Sequence, residues 1–400
     1  MPNAPIQMGN KKNRWLRLYS DGGEERVIRV LHVMGCGDAG GISTVVLNYY
    51  RFIDRTKIHF DIALTVPEVG QNAEALQAMG AKLNFLPMKS TGLRKFRNSL
   101  KELLKQGNYD AIHVHESETS YIALQVAKQL GVPCRVAHAH TTSPYLNFSG
   151  EIRRLSGCLL NYHYATCVIG CGQLAGERIF GKYNMKRERA MVLPNAIDTT
   201  LFDYDPQVRD EVRRELGLED KFVMGMVGRL AEQKNTMYAL ELLPQLLRYI
   251  PHAVLVVAGN GPEEETLHSR IAELGMEDKV TLLGRRADVA RLYQAFDIFL
   301  MPSLFEGYPL AAVEALATGL PVLLSDAITR ELRFGSAVEY LPLSHPEQWI
   351  KTILLRRISW ARKARAKEVA AHGLDIRDTV KTLENVYLRD LGVEVLEAEV

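Results

Sequence analysis

Short runs of β-branched and other apolar residues alternate along this chain with longer stretches whose apolar positions recur every three or four residues. The short runs predict strands and the longer patterns predict helices, an alternation typical of βαβ units with mostly parallel sheets. Helical patterns include Leu93–Lys105 and Thr119–Leu130. Strands are predicted at Val27–Val33, His59–Leu64, Lys82–Leu86, Ala111–His115, Cys134–His138, Cys167–Ile169, Ala190–Leu193, Phe222–Val227, Ala253–Ala258, Lys279–Leu283, Ile298–Met301 and Pro321–Leu324.

A polar stretch at residues 199–220 interrupts this alternation and predicts an inter-domain linker. The chain has 400 residues, more than one hydrophobic core usually organises, which also favours two domains. We therefore expect an α/β protein with two Rossmann-like, doubly wound domains, residues 27–200 and 201–375, whose facing sheets leave a cleft. Residues 1–26 are polar and predict an irregular leader.

The composition fits a soluble globular protein, with 47% hydrophobic and 24% charged residues. A net charge of +2 gives no support for nucleic-acid binding. No apolar run reaches the roughly 18 residues that a membrane span needs. No CxxC spacing occurs among the five cysteines, so we expect reduced, buried thiols in a cytoplasmic protein; they are Cys36, Cys134, Cys158, Cys167 and Cys171.

The richest motif is FEGYPLAAVEALATGLPV at residues 305–322, directly after a predicted strand. Pro309 suits the first turn of a helix, and free N–H groups at a helix start bind phosphate well. Glu306 then lies before the helix and Glu314 about two turns into the motif, where carboxylates can accept hydroxyls of a donor sugar and a ribose respectively. An ordinary helix with one exposed and one capping glutamate would show the same spacing.

A second motif, GRLAEQKN at residues 228–235, places Gly228, Arg229 and Lys234 after the strand Phe222–Val227. Two cations at the carboxyl end of a strand can neutralise a diphosphate leaving group, which is often the largest catalytic contribution. The alternative is a solvated basic loop. Two weaker features follow the next strands, where Gly259 and Gly261 form a tight turn that lets backbone approach a ligand and Arg285 could frame a nucleobase.

In the first half, residues 35–41 formally satisfy the GxGxxG dinucleotide fingerprint. The tip of the second strand carries no acidic residue for a ribose, which argues against NAD or FAD. We interpret Gly40 and Gly41 instead as a loop whose amides face the donor phosphates.

Four histidines cluster at predicted strand ends: His113, His115, His138 and His140. His140 lies just past its strand and is the best candidate to bond the donor sugar or the migrating proton. Structural histidines and a metal site are the alternatives. We expect no metal and no other cofactor.

Three further patterns have less specific interpretations. Asp203-Tyr204-Asp205 matches a metal-binding DxD but lies in the linker, where a solvated turn is expected. Lys351–Lys367 contains seven basic residues, and Leu93–Lys105 carries five. Each could form a helix with a basic face that leans on an anionic membrane or simply faces solvent.

Together these motifs resemble retaining glycosyltransferases of family four, which have the GT-B fold. GRLAEQKN, GNGP, LLGRR and FEGYPLAAVEALATGLPV occur in the family's order, and so do GDAGGISTVVLNYY, HVHES, AHAHTTSP and VLPNAID in the first half. The bacterial branch that builds capsular polysaccharide or exopolysaccharide is the most similar. Ala196 and Tyr308 depart from the family pattern, where Gly and Phe are common.

The resemblance implies a role for each motif. Glu306 and Glu314 match the family's EX7E pair, Arg229 and Lys234 its diphosphate clamp, Gly41 its phosphate-facing loop and His140 its cleft histidine. The catalytic residues implied are therefore His140, Arg229, Lys234 and Glu306. Donor contacts are expected from Gly40, Gly41, Gly228, Arg229, Lys234, Gly259, Gly261, Arg285, Glu306, Gly307, Tyr308, Pro309, Leu310 and Glu314. Residues 376–400 should form a terminal helix that packs back on the N-terminal domain.

The expected reaction is transfer of a hexose or N-acetylhexosamine from a nucleotide-sugar, expected to be UDP-linked, to a glycan or lipid-linked acceptor. No carboxylate is evidently placed as a nucleophile, so front-face attack with retained configuration is favoured. The enzyme could touch the inner face of the cytoplasmic membrane. A nucleotide-sugar epimerase of GT-B fold and a non-catalytic nucleotide-sugar binding protein are the competing hypotheses.

Overall fold

The chain folds into two parallel sheets with helices on both faces of each. The structure, a computed structural model, describes residues 26–37, 40–66, 69–143 and 148–393. The predicted leader therefore lies outside the described residues except for Arg26. The prediction of a two-domain, Rossmann-like α/β fold is confirmed.

The first sheet has seven strands in the order β3-β2-β1-β4-β5-β6-β7. They are β1 Ile28–Met34, β2 Ile58–Leu64, β3 Leu83–Phe85, β4 Ala111–Val114, β5 Cys134–Ala139, β6 Cys167–Gly170 and β7 Ala190–Val192. Its helices are α1 Gly41–Phe52, α2 Gln71–Ala78, α3 Leu93–Gly107, α4 Ser120–Gln129, α5 Phe148–Tyr164 and α6 Gln173–Phe180. Successive strand side chains alternate between two cores: Val30 packs with α1 and α2, and Leu31 with α3 and α4.

The second sheet has six strands in the order β10-β9-β8-β11-β12-β13. They are β8 Phe222–Val227, β9 Ala253–Ala258, β10 Val280–Leu282, β11 Ile298–Met301, β12 Val322–Ser325 and β13 Val338–Leu341. Its helices are α7 Pro206–Glu215, α8 Thr236–Leu246, α9 Glu264–Leu274, α10 Val289–Ala295, α11 Leu310–Ala317, α12 Pro346–Ser359 and α13 Ala366–Val369. Two apolar clusters cover its faces, so this half is also doubly wound.

The chain returns to the first half through α14, Ile376–Asp390. Asp375 and Ile197 form a parallel bridge where the outgoing and returning segments pass each other. Apolar side chains of α14, including Val380, Leu383 and Tyr387, belong to the core of the first half. The last helix thus ties the two halves together through the hydrophobic burial of one face.

Strand β13 and helix α7 differ from the sequence predictions. Strand β13 was missed because it is short and its sequence, VEYL, includes a glutamate at the sheet edge. The predicted linker contains α7, where Asp205 caps the helix by accepting hydrogen bonds from the N–H groups of Gln207 and Val208. That capping role also explains the DxD sequence, since Asp205 serves the helix.

The prediction of one basic face over Lys351–Lys367 is wrong, because α12 ends at Ser359. Trp360 turns inward and its indole donates to the carbonyl of Gly319 at 3.0 Å. Arg362 donates to the carbonyls of Tyr293, Gln294, Phe296 and Thr318, and burial lowers its pKa to about 9. Trp360 and Arg362 therefore stabilise the fold, whereas Lys363 and Lys367 are exposed.

Candidate functional site

Three of the predicted donor residues, Gly228, Arg229 and Lys234, lie in the loop after β8, beside the carboxyl ends of β9 and β11. A small pocket there is lined by Met226, Val227, Gly228, Arg229, Lys234, Thr236, Val257, Leu300, Met301 and Ser303. Ligands of open parallel sheets bind at this edge, because the loops that follow the strands converge there. The two cations and the ends of three strands thus share one concave surface.

Lys234 is positioned by the 3₁₀ turn Glu232–Lys234, which packs on the loop after β11. The N–H of Leu304 donates to the carbonyl of Gln233 at 2.8 Å, and the Gln233 side chain donates to the carbonyl of Phe305 at 2.9 Å. Asn235 follows in the left-handed region, with φ of 52°, and starts α8. These bonds hold the two sequence motifs, residues 228–235 and 305–322, against each other.

Lys234 and Glu306 form an ion pair, with Nζ 2.6 Å from Oε1. Only 8% of the Glu306 side chain is exposed, so the pair is largely shielded from solvent. Arg229 is exposed on the same pocket and makes no side-chain hydrogen bond that we observe among the described residues. The sequence analysis assigned Lys234 and Glu306 to different parts of the donor, whereas the structure places them in direct contact.

Glu314 lies on α11 and is held by a residue that the sequence analysis missed. The hydroxyl of Tyr293 is 2.8 Å from Oε2 of Glu314 and donates to it. Burial raises the pKa of Glu314 from 4.5 to about 7, although the Tyr293 hydrogen bond and the charge of Lys234 oppose this shift. Glu314 is therefore close to half ionised at neutral pH and within electrostatic reach of Lys234.

If ribose hydroxyls donate to Glu314, donor binding selects its ionised form and releases a proton. Since that form is scarce below the pKa of about 7, affinity for the nucleotide-sugar donor should rise roughly tenfold from about pH 6 to about pH 8. Isothermal titration calorimetry in two buffers of different ionisation enthalpy measures both the affinity and the released proton. Glu314→Gln should bind with little dependence on pH, and an equally steep profile in that variant would contradict the assignment.

Ionisation of Glu314 also changes the free energy of unfolding. Its folded pKa of about 7 lies above the ordinary 4.5, so the folded state binds more protons than the unfolded state in that window. This group therefore lowers the free energy of unfolding as pH rises from about 4.5 towards 7. A site that sacrifices stability in this way is typical of a binding carboxylate.

The glycines after β9 allow two loops to pack closely, and their predicted approach to a ligand stays a prediction. A Cβ at Gly259, where φ is +145°, would lie 1.8 Å from the carbonyl oxygen of Gly228, and one at Gly261 would lie 2.2 Å from that of Leu230. Hydrogen bonds join the same loops, from Gly228 N–H to Ala258 O and from Leu230 N–H to Asn260 O. Gly259 and Gly261 thereby fix the loop that carries Arg229.

Pro309 is the N-cap of α11 and not its first helical residue, since its backbone is extended with ψ of 97°. Leu310 is the first residue of the helix, and its side chain packs against the cores of both halves. Arg285 follows β10 on the same sheet edge but is not among the residues that line the pocket.

The loop from Glu306 to Tyr308 lies directly against the first half. Thr142 donates its hydroxyl to the carbonyl of Glu306 at 2.7 Å, and Asn195 donates its side-chain amide to the carbonyl of Tyr308 at 3.0 Å. A Cβ at Gly307 would lie 2.1 Å from the carbonyl oxygen of His140. The structure therefore brings His140, which follows β5, beside the Glu306 loop.

A second bridge between the halves is a helix cap. Glu331, from the loop after β12, accepts hydrogen bonds from the N–H groups of Gln173 and Leu174 at 2.7 and 3.1 Å. These are the first residues of α6, where an acidic side chain is stabilised by free N–H groups and the helix dipole. Thr142, Asn195 and Glu331 were missed because their partners lie between 113 and 164 residues away along the chain.

Gly40 and Gly41 begin α1 at the edge of the first sheet and are exposed. Asp38 and Ala39 of the same loop lie outside the described residues. Among the described residues, no hydrogen bond that we observe joins Gly40 or Gly41 to the pocket around Lys234. Their predicted role towards the donor phosphates stays a prediction.

The strand-end histidines are packed together and are neutral. Burial lowers the pKa of His140 to about 3 and holds those of His113, His115 and His138 well below 6.5. Ring nitrogens of His115, His138 and His140 lie within 4.8 Å of one another. This spacing of ring nitrogens suits a metal site, and direct hydrogen bonds also link several of the rings.

All five cysteines are free thiols, and Cys36 alone is exposed. The expectation of buried cysteines therefore holds for Cys134, Cys158, Cys167 and Cys171 and is wrong for Cys36. Among the described residues, no helix has the length and apolar character needed to cross a membrane.

Comparison with known proteins identifies the family. The model described as Glycosyltransferase Family 4 matches residues 39–201, and the one described as Glycosyl transferases group 1 matches residues 208–331. EpsF of Bacillus subtilis (strain 168), whose name places it among glycosyltransferases, is 36% identical over 373 residues, which cover 90% of this chain and 96% of EpsF. The chain belongs to glycosyltransferase family 4.

This family-4 glycosyltransferase is a hexosyltransferase with the GT-B fold. It is also 29% identical to the Escherichia coli UDP-Gal:α-D-GlcNAc-diphosphoundecaprenol α-1,3-galactosyltransferase, over 75% of this chain and 79% of that enzyme. Anabaena Alr3699/HepE, solved in complex with UDP-glucose, superposes with a TM-score of 0.75 at 20% identity, over 90% of this chain and 98% of HepE. The structural likeness confirms the GT-B fold.

Proposed function

We propose that this family-4 glycosyltransferase moves a hexose or N-acetylhexosamine, with retained configuration, from a UDP-sugar to a glycan or lipid-linked acceptor in exopolysaccharide synthesis. The observation that carries the proposal is the convergence of Arg229, Lys234, Glu306 and Glu314 at one edge of the second sheet, beside His140 of the first half. The name of the E. coli galactosyltransferase supports a UDP-sugar and a lipid-linked acceptor.

In the proposed mechanism, the donor diphosphate binds between Arg229, Lys234 and the start of α11. The two cations stabilise the charge that develops on the leaving phosphate. Glu306 and Glu314 accept hydroxyls of the sugar and the ribose. Contacts between the Glu306 loop and the first half hold the acceptor side close, which lowers the barrier through proximity.

Configuration is retained in this proposal because attack comes from the face that the phosphate leaves. The acceptor hydroxyl forms its new bond to the anomeric carbon as the bond to the diphosphate breaks. The acceptor's proton goes to the departing phosphate oxygen. Glu306 is unsuited to be a nucleophile while it pairs with Lys234 at 2.6 Å.

A panel of nucleotide-sugars tests the proposal directly. Thermal-shift measurements should show that one UDP-sugar stabilises the protein selectively, and slow hydrolysis to UDP should accompany binding. NMR of the product formed with an acceptor should show the anomeric configuration of the donor. Conversion of the donor to an epimer without an acceptor would support the epimerase hypothesis, which the family match does not favour. Binding without hydrolysis or transfer would instead support a non-catalytic protein.

No metal is needed for the proposed transfer, because Arg229 and Lys234 take the place of a divalent cation at the diphosphate. We therefore expect initial rates to be unchanged after incubation with EDTA and dialysis. A rate that falls with EDTA and returns with Mg²⁺ or Mn²⁺ would contradict this proposal. The DxD sequence supplies no alternative site, since Asp205 caps α7.

We also propose that the enzyme contacts the inner face of the cytoplasmic membrane peripherally, through helix α3. Its buried face consists of Phe96, Leu100 and Leu104, and its exposed face carries Arg94, Lys95, Arg97, Lys101 and Lys105 beside the exposed Leu93. A basic face next to an apolar residue suits an anionic lipid surface. Such contact would bring a lipid-linked acceptor to the first half.

A further inference from the structure

A continuous chain of side-chain contacts links the cleft histidine to the last helix of the protein. Nε2 of His140 lies 2.8 Å from Nδ1 of His115, and Nε2 of His115 lies 3.0 Å from Nδ1 of His32. His32 continues through Nε2 to the hydroxyl of Tyr387 on α14, at 3.5 Å. The sequence analysis grouped His115 with His140 but missed His32 and Tyr387, because β1 and α14 supply these two residues from distant positions along the polypeptide.

The series of side-chain contacts continues beyond Tyr387 and returns towards His140. The Tyr387 hydroxyl lies 2.7 Å from Nδ1 of His113, whose Nε2 lies 3.2 Å from Nδ1 of His138. The rings of His138 and His140, at the two ends, have centroids 4.0 Å apart. Nδ1 of His140 and Nε2 of His138 are buried and have no hydrogen-bond partner in the part of the chain that the structure describes.

The histidines in this series of contacts are neutral at physiological pH, because burial lowers the pKa of each one; they are His32, His113, His115, His138 and His140. A neutral imidazole has one N–H and one lone pair, so one ring of each contacting pair must donate and the other accept. Once it is known which partner donates in one of these hydrogen bonds, the tautomer of every ring in the series follows. Tyr387 joins the two halves of this series of contacts, because its hydroxyl has one proton and two histidine neighbours: the neighbour that does not accept that proton must donate to the hydroxyl oxygen.

The distances indicate which neighbour receives the Tyr387 proton. Its 2.7 Å contact with His113 has the length of a good O–H donor bond, whereas the 3.5 Å contact with His32 is long. If Tyr387 donates to His113, then Nε2–H of His32 points at the Tyr387 oxygen. His115 then donates to His32, and His140 donates through Nε2 to His115.

We propose that Tyr387 positions His140 by fixing its tautomer, so that Nδ1 of His140 carries a lone pair and accepts a hydroxyl of the bound sugar. This inference rests on the proposed function for its ligand. Tyr387 is a positioning residue in it, since it acts only through His113, His32 and His115. An unprotonated Nδ1 can only accept a hydrogen bond. It therefore favours a hydroxyl group of the ligand over a carbonyl or carboxylate oxygen, which has no proton to donate.

The test compares Tyr387→Phe with Tyr49→Phe in protein labelled with ¹⁵N-histidine. Tyr49 is a matched control, because its hydroxyl is also fully buried but has no hydrogen-bond partner in the described residues. Two-bond ¹H–¹⁵N correlation spectra report which ring nitrogen carries the proton, and His140→Gln assigns the signal. We expect wild-type His140 to show an unprotonated Nδ1, which Tyr49→Phe leaves unchanged and Tyr387→Phe converts to a mixture of tautomers.

Kinetics with UDP-glucose supply the second readout. Loss of one oriented hydrogen bond to the sugar should lower kcat/KM of Tyr387→Phe about threefold to tenfold, with Tyr49→Phe close to wild type. Melting temperatures of the two variants show whether the loss exceeds what a missing buried hydroxyl explains. A rate that falls while the His140 tautomer is unchanged would overturn the proposal.

Other outcomes separate this inference from the proposed function. A protonated Nδ1 in wild-type His140 would overturn the inference even in an active transferase. The expected tautomer without any shift of the His140 signal on adding UDP-glucose would overturn its role towards the sugar, whereas absence of transfer with every donor would overturn the proposed function. If the purified protein contained stoichiometric zinc that was lost in His115→Ala, the rings would bind metal. That result would also overturn the proposed series of hydrogen bonds between them.

Discussion

Replacement of Lys234 by alanine is expected to lower kcat about 10²-fold, the loss that follows removal of one preorganised charge from a transition state. Lys234 lines the pocket with Arg229 and lies 2.6 Å from Glu306, so its charge is aimed at the position assigned to the diphosphate. The effect should fall mainly on kcat, because charge on the leaving phosphate increases as the glycosidic bond breaks. Steady-state kinetics with the preferred UDP-sugar measure it.

Removal of Lys234 also leaves the buried Glu306 without its ion-pair partner, which by itself destabilises the loop. The double variant Lys234→Ala/Glu306→Gln removes that unpaired charge and should regain melting temperature without regaining kcat. Lys279→Ala is the matched control, since Lys279 precedes β10 at the opposite edge of the same sheet. Wild-type turnover in Lys234→Ala, or recovery of kcat in the double variant, would refute the assignment of Lys234 to the diphosphate.

Substitution of Gly307 by alanine is expected to lower kcat/KM by the order of 10²-fold, because it displaces the Glu306 loop from the first half. The new Cβ would lie 2.1 Å from the carbonyl oxygen of His140 and 3.0 Å from Sγ of Cys171. Backbone must move to relieve the first contact, and the bonds from Thr142 and Asn195 to this loop would stretch. Overpacking of this kind also costs about 1–3 kcal/mol of stability.

Gly35→Ala is the control for Gly307→Ala, since a Cβ at Gly35 meets nothing within 4 Å. Activity and melting temperature of that variant should equal those of the wild type. Activity of Gly307→Ala should recover in part if the loop can repack, which Cys171→Ala would assist by removing the second contact. Full activity in Gly307→Ala would show that the halves need not meet at this loop during transfer.

The positions of most strands followed from the sequence because buried parallel strands are short apolar runs bounded by turns. β8, β9 and β11 match the predicted bounds residue for residue. The edge strand β13 was not predicted, since it has only four residues and three of them are only partly buried. Similarly, α7 was hidden because its ten residues carry few apolar positions and depend on packing against α10 and on the Asp205 cap.

Charged residues were assigned less reliably than apolar ones. Arg362 and Arg365 belong to a basic run in the sequence, yet Arg362 bonds four carbonyls inside the second half and Arg365 pairs with Glu368. A cation in a helical pattern has the same sequence signature whether it meets water, lipid or buried carbonyls. Only the fold around it decides which.

Sequence by itself determined the two sheets, their parallel strands and the four charged residues at the edge of the second sheet, because period and spacing are local properties of the chain. Tertiary structure decided which groups meet there: Lys234 with Glu306, Tyr293 with Glu314, Gly307 with His140, and Tyr387 with His32 and His113. These pairs join residues that are between 21 and 355 positions apart along the chain. Their distances follow from the packing of elements on the sheets, which no local pattern encodes.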